Sequence, residues 1–422
     1  MVSKRHAACS AVHRPIAAPA RTDVMSRYAT STWPGVMQPH LLDSTMFWSP
    51  AGGGVRRYLL TKRAWLAREN GWRHSILAPG VRGPGFVDCG GWPLPLSGGY
   101  RLPLDRRALA RQMVALQPDL IEVGDPYRPA WAALDAAQRL GVPAVAFCHS
   151  NLPALAAQWA GGSGRAARWA RASAVRYLGH VYRGFDLVLA PSRSMQRGLQ
   201  QLGLTRVQQQ PLGVDTATFH PARRDPRWRR SLGLATDDRV LLYAGRFAPE
   251  KHLPLLAAAV RRLGPRHRLV AIGSGPTPPR GAQVLLLPHE PRADRLACIV
   301  ASSDAFVHAG DQETFGLGVL EAMACGTPVV VRAAAGLAEL VAGGAGIGVE
   351  SARVDDWAAA MAAVFGASDH EARVRRARER AEAHDWQRVL PQLLQRYQRL
   401  LLGREVHVGE ITELAPLSRA LP

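Results

Sequence analysis

From residue 41 onward, short apolar runs alternate with longer stretches whose apolar residues recur every three or four positions. That rhythm is the signature of buried strands feeding amphipathic helices. In the first half, residues 41–47, 75–78, 118–123, 141–147 and 186–191 read as strands, the last of them closing a first domain. Residues 55–70, 106–116, 131–140 and 165–185 read as helices between them, and 79–103, rich in Gly and Pro, as loop with a short strand or two. The same rhythm resumes in the second half. Strands are predicted at 239–246, 269–272, 284–287, 305–308 and 329–331, and helices at 253–263, 293–301, 317–325, 355–365, 371–383 and 386–402, with 336–341 also part of the domain. Steady β-α alternation of this kind predicts parallel, doubly wound sheets, one in each half.

The richest stretch is 310–330, which reads as strand end, tight loop, helix, turn and strand. Two carboxylates, Glu313 in the loop and Glu321 on the helix, are separated by seven residues. Between them the amides of Thr314, Phe315, Gly316 and Leu317 open a helix N-terminus, a natural anion site. Carboxylates accept hydrogen bonds from hydroxyl pairs, and helix-start amides hold phosphate. A site with both suits a ligand with polyol ends and an anionic middle. Taken alone, the pair is equally well read as a helix cap plus a surface carboxylate.

Glu313 and Glu321 with Thr314-Phe-Gly-Leu317 between them, followed by Glu321-Ala-Met-Ala-Cys-Gly-Thr-Pro-Val-Val330, resemble the E-x7-E signature of glycosyltransferase family 4. The resemblance runs from about residue 40 to 402 and implies the GT-B fold: two facing doubly wound, Rossmann-like α/β domains across a deep cleft. It implies a retaining, metal-independent transferase, mannosyl- or glucosyltransferase-like, moving a hexose from a nucleotide-diphosphate sugar to a lipid-linked or glycan acceptor. No cofactor is implied beyond that co-substrate, and no Asp-x-Asp pair is present to hold a metal. A nucleotide-sugar epimerase on the same fold is the rival reading, since fold does not fix function, although epimerases lack this element.

Other segments take their roles from the same resemblance. Gly53 and Gly54, in a Gly-rich turn after the first strand, are similar to the family's Gly-Gly-Val element beside the donor diphosphate. By themselves they read equally as a plain left-handed turn. His149 and Asp125 stand at strand C-terminal ends, where functional groups of such sheets collect. His149-Ser-Asn-Leu-Pro153 resembles the family's cleft histidine motif, whereas Asp125 is a candidate for acceptor contact on position alone. Arg246 and Lys251 flank a strand-to-helix turn and can converge on one anion. They resemble the Gly-Arg…Glu-Lys motif that neutralises the departing diphosphate. Glu313 is then expected to hold sugar hydroxyls and Glu321 the ribose diol. Ser274 stands where the family usually carries Asp, and Pro288-His-Glu-Pro291 departs from the usual loop near the base. The expected organisation is a disordered extension over 1–36 with the true start at Met25 or Met37, a first domain over 37–218 and a second over 219–384. A helix over 385–402 crosses back, and 403–422 is a tail. The segment 223–230 is expected to be irregular.

Charge adds one question. Lys and Arg number 53 against 33 Asp and Glu, a net charge of +20. Nucleic acid, anionic lipid and phosphorylated substrates all attract such a chain. The basic residues are spread over both halves with no nucleic-acid reading module, so no nucleic-acid partner is expected. On a helical wheel Arg165, Arg168, Arg171, Arg176 and Arg183 share one arc, with Ala166, Ala170, Ala174, Tyr177, Leu178, Val181 and Phe185 opposite. This is either an ordinary surface helix or a basic face for an anionic membrane surface. The five cysteines are scattered without a C-x-x-C pair, pointing to a reducing compartment. With no apolar run near about 20 residues and no export signal, the expected location is cytoplasmic, peripheral on the inner membrane face.

Overall fold

The computed structural model describes residues 38–49, 53–69, 71–94, 99–366 and 369–403. The extension at 1–36, the alternative starts Met25 and Met37, Cys9, residues 50–52 of the Gly-rich turn, and all but the first residue of the tail at 403–422 lie outside them.

The first half runs β1 (His40–Ser44), α1 (Gly54–Glu69), β2 (Arg73–Ala78), β3 (Phe86–Asp88), β4 (Trp92–Pro93), β5 (Arg101–Leu102), α2 (Arg106–Ala115), β6 (Leu120–Val123) and α3 (Arg128–Leu140). It continues through β7 (Ala144–Phe147), α4 (Leu152–Trp159), α5 (Gly164–Tyr182), β8 (Leu187–Ala190), α6 (Arg193–Gln200) and β9 (Val207–Gln209). Seven strands form one sheet in the order β3-β2-β1-β6-β7-β8-β9, parallel at every pairing, while β4 and β5 make a small antiparallel hairpin.

The second half runs α7 (Pro226–Ser231), β10 (Arg239–Ala244), α8 (Leu253–Arg262), β11 (His267–Ile272), β12 (Val284–Leu287), α9 (Ala293–Ala301), β13 (Ala305–His308) and α10 (Leu317–Ala324). Then follow β14 (Val329–Arg332), α11 (Ala335–Val341), β15 (Ile347–Val349), α12 (Val354–Gly366), α13 (His370–Ala383) and α14 (Trp386–Leu401). Its six strands are ordered β12-β11-β10-β13-β14-β15, again all parallel. Strands β6, β7, β8 and β13 are buried at every position, as parallel strands covered by helices on both faces must be.

Three expectations need correction. The strand at 186–191 is not the last of its sheet, because β9 adds an edge strand whose Val-Gln-Gln sequence hides it from an apolar count. The segment 223–230 is not irregular: Asp225 caps the short helix α7, its carboxylate accepting from the Arg227 N–H at 2.8 Å. The first strand ends at Ser44 rather than 47, since Asp125 accepts from the Met46 N–H at 2.8 Å and turns the chain away.

Each sheet has its own outer core. Leu42, Ile121, Ala146 and Val188 anchor one, and Leu241, Ala271, Val307 and Trp357 the other. The inner layers merge into one cluster running from Leu41, Tyr58 and Phe147 through Trp386 and Tyr397 to Leu242, Phe306 and Leu320. Helix α14 makes that continuity. It buries Trp386, Val389, Leu390, Leu393, Tyr397 and Leu401. Gln387 accepts from Trp65 Nε1 at 3.1 Å, and Arg396 donates to the Gln209 carbonyl at 3.0 Å. Where the two connections between halves meet, Val214 bridges Asp385, and a Cβ on Gly213 would lie 2.7 Å from the Trp386 ring. Only glycine allows that approach.

Candidate active site

In each sheet the strand order reverses beside its first strand, between β1 and β6 and between β10 and β13. Open α/β sheets bind ligands in the crevice outside the strand C-termini at such a point. The loops leaving these strands carry most of the residues singled out from the sequence.

After β13 the chain turns at Gly316, with φ 102°, and a Cβ there would come within 2.4 Å of Leu337 Cδ2. Helix α10 starts at once and has no side-chain cap, so no capping side chain takes its first-turn amides. Glu313 Oε1 pairs with Lys251 Nζ, and His308 Nε2 lies 3.3 Å from the same oxygen. The Gly310 N–H donates to His308 Nδ1 at 3.2 Å, which leaves the Nε2 proton facing Glu313. Burial pushes the Glu313 carboxyl up, but Lys251 and His308 outweigh it and hold it well below the usual carboxylate range. Arg246, on the turn that also carries Lys251, pairs with Glu250 at 3.0 Å, with its side chain 62% exposed. One helical turn into α10, Glu321 is 5% exposed and pairs through Oε1 with Arg57 Nη1 of helix α1.

The other half closes onto this surface. A Cβ on Gly54 would lie 3.1 Å from Leu317 Cδ1, so the Gly-rich turn abuts the start of α10. The Thr314 hydroxyl donates to the His149 carbonyl at 3.0 Å, and Gln312 donates to Gln158 at 3.1 Å. Glu339 on α11 accepts from the N–H groups of Arg193 and Ser194, at 3.0 and 2.6 Å, at the start of α6. The His149 ring stacks on Phe147 with centroids 4.2 Å apart, and its Nε2 is buried with no hydrogen-bond partner among the described residues. Burial and the Lys62 charge, only partly opposed by Asp43, push His149 down to about 3. Its imidazole is therefore neutral at any physiological pH.

Comparisons with known proteins place this arrangement. Residues 52–218 match the family model described as Glycosyltransferase Family 4, and residues 224–381 match Glycosyl transferases group 1. Between them the two matches span most of the chain, and they meet at the connection between the halves. The chain belongs to glycosyltransferase family 4. A GDP-mannose-dependent alpha-mannosyltransferase of Mycolicibacterium smegmatis is 35% identical over 53% of this chain and 58% of its own length. A GDP-mannose-dependent alpha-(1-6)-phosphatidylinositol dimannoside mannosyltransferase of Mycobacterium tuberculosis is 29% identical over 82% of this chain and 93% of its own. The chain thus spans little more than half of the first relative and nearly all of the second. The fold is GT-B. A sucrose-phosphate synthase of Thermosynechococcus elongatus superposes with a TM-score of 0.72 at 21% identity, covering 87% of this chain and 100% of that one.

Within this family 4 chain one sequence candidate is displaced. Asp125 is 2% exposed and accepts from Thr45 Oγ1 at 3.1 Å and the Met46 N–H at 2.8 Å on one oxygen, and from the Tyr127 N–H at 3.4 Å on the other. Burial raises it to about 6 against those hydrogen bonds. It anchors the turn after β1 and offers no acceptor contact. Phe315 is 4% exposed with its ring against His384, so only its backbone faces the loop. Sequence reading missed His308, Arg57 and Glu339. His308 ends a strand just as His149 does, and the same positional rule finds it. Nothing in the sequence marks Arg57 or Glu339, whose partners lie in the opposite half.

The neutrality of His149 gives a direct expectation. Its imidazole should contribute no inflection to the pH–rate profile between about pH 5 and 9. Its folded value lies below the ordinary 6.5. The unfolded chain therefore takes up a proton that the folded one refuses, and this group's contribution to stability is lost as pH falls below about 6.5. Comparing kcat profiles of wild type and His149→Asn checks this. An inflection near 6.5 in wild type that is absent in the variant contradicts it.

Proposed function

We propose that this chain is a retaining, metal-independent hexosyltransferase that moves mannose from GDP-mannose to a lipid-linked acceptor at the cytoplasmic face of a membrane. The supporting observation is the convergence, in one cleft, of Lys251, Arg246 and the uncapped start of α10 with Glu313, Glu321 and His149. The two cations and the helix-start amides suit negative charge growing on a departing diphosphate, usually the largest part of such catalysis. Glu321 suits the ribose diol, Glu313 the sugar hydroxyls, and neutral His149 a sugar contact from the opposite half. As the bond from sugar C1 to phosphate oxygen breaks, the electron pair leaves with the diphosphate. The acceptor oxygen then bonds to C1 from the same face, and its proton passes to the departing phosphate oxygen. Guanine and mannose follow the two mycobacterial relatives, both described as GDP-mannose-dependent.

The test is a screen of GDP-, UDP- and ADP-hexoses with a phosphoinositide acceptor, with the anomer of the product read by NMR. GDP-mannose turnover to the α-linked product is expected, and it should survive EDTA. An inverted product, or activity lost in EDTA and restored by magnesium, contradicts the retaining or the metal-independent reading respectively.

The lipid acceptor draws support from α4 and α5. Arg165, Arg168, Arg171, Arg176 and Arg183 are all exposed. Trp169 among them is 71% exposed, and Trp159 at the end of α4 is 72% exposed. The expected apolar arc is shifted, with Ala167 buried and Ala166 exposed. Tryptophan beside arginine suits the headgroup region of a bilayer. No helix of the described residues is long and apolar enough to cross a membrane. Co-sedimentation with liposomes should rise with anionic lipid, fall with salt, and drop severalfold when Arg165, Arg168 and Arg171 become Gln. Wild type remaining in the supernatant at every composition would favour a soluble glycan acceptor.

A further inference from the structure

Arg57 stands in the first turn of α1, and its N–H closes that turn on the Gly53 carbonyl at 3.1 Å. Its guanidinium crosses from the first half to Glu321 in the second, and also lies 5.9 Å from the ring centroid of Phe219, in the connection between them. Behind burial, the Arg57 charge is the next largest cause of the lowered proton affinity of His289, in the loop after β12. One side chain thus touches the Gly-rich helix, the connection, the donor carboxylate and the field of the next loop. Glu321 is 5% exposed, and a buried carboxylate keeps its charge and rotamer only if something holds it. Arg57 engages Oε1, which leaves Oε2 to accept from a diol. We propose that Arg57 is a positioning residue that couples donor binding to cleft closure: it orients Glu321 for the ribose only when the two halves meet.

This rests on the reading of Glu321 as the diol acceptor, and the test separates the two. GDP and GDP-mannose are titrated by calorimetry into wild type, Arg57→Gln, Arg57→Lys, Glu321→Gln and the double variant. Small-angle scattering is recorded with and without GDP-mannose. Losing a hydrogen bond to a charged group predicts a Kd for both ligands about ten- to a hundredfold weaker in Arg57→Gln. Arg57→Lys should fall between, because the charge stays and the fork is lost. The double variant should be no weaker than Glu321→Gln, and scattering of Arg57→Gln with GDP-mannose should remain more open than wild type. An unchanged Kd in Arg57→Gln overturns the proposal, and so does a tighter one, which would make Arg57 a competitor of the ribose. Additive losses in the double variant also overturn it, as does a purely structural loss, in which melting falls but Kd does not. Wild-type affinity in Glu321→Gln sinks the diol reading itself, whatever Arg57 does. If Arg57→Gln does not fold, Arg57→Lys carries the comparison.

Discussion

A Lys251→Ala enzyme is expected to lose about a hundred- to a thousandfold in kcat/KM, the usual scale for removing one preorganised group aimed at developing charge. Two losses combine in it. The departing diphosphate forfeits an ammonium, leaving Arg246 and the α10 amides. Glu313 forfeits the Lys251 partner on its Oε1 and keeps His308, 3.3 Å away. Burial, which already pushes the Glu313 carboxyl up, then acts with less opposition, and its proton affinity rises. The variant's residual activity should therefore decline further as pH falls from 8 to 6, while wild type stays flat. Lys251→Arg should recover part of the rate, since it restores the charge with different geometry. A loss under tenfold, or identical pH profiles, would put the diphosphate elsewhere.

Lys62→Met is expected to cost about 3–5 kcal/mol of stability, the scale for breaking a buried ion pair by removing one partner. Lys62 is 1% exposed and donates to Asp43 at 2.7 Å, Glu122 at 2.9 Å and Tyr58 at 3.0 Å. Glu122 also accepts from Tyr397, so this cluster fastens α14 to the first sheet. Burial raises Glu122 to about 7 in spite of Lys62. Asp43 is also pushed up by burial, but Lys62 and His74 bring it down to about 2. The signs follow from linkage. Stability from protonated Glu122 is fully present below the unfolded value of 4.5 and is lost as pH rises through about 7. Stability from ionised Asp43 is present above 3.8 and is lost as pH falls toward 2. Without Lys62 both carboxyls rise, so the penalty should be largest at pH 8 and smaller at pH 5.5. Urea unfolding at both pH values measures it. A loss below about 1 kcal/mol, or an equal loss at both, contradicts the account.

What the sequence made legible, and what it hid, follow from the range of the interactions involved. The α/β rhythm was readable because strands such as β7 (Ala-Val-Ala-Phe) are buried on both faces and admit nothing polar. The α10 segment was readable because Gly316, the loop carboxylate and the helix start are local chemistry. Strand β9 was not, since Val207-Gln-Gln209 pairs at a sheet edge and needs no apolar run. Lys62 looks like any lysine on a charged helix. Its burial comes from Asp43 and Glu122, which only the folded sheet brings beneath it. Asp125 misled for the same reason: its position at a strand end suggested a functional group, yet its carboxylate turned back to satisfy Thr45, Met46 and Tyr127.

The most direct measurement is a titration of GDP-mannose into Glu321→Ala, set beside the turnover of Glu313→Ala. The first variant should bind roughly ten- to a hundredfold more weakly, as loss of hydrogen bonds to a charged group implies. The second should bind GDP-mannose near normally and lose kcat by a similar factor. Wild-type affinity in the one together with wild-type turnover in the other would contradict the assignment of this cleft as the donor site.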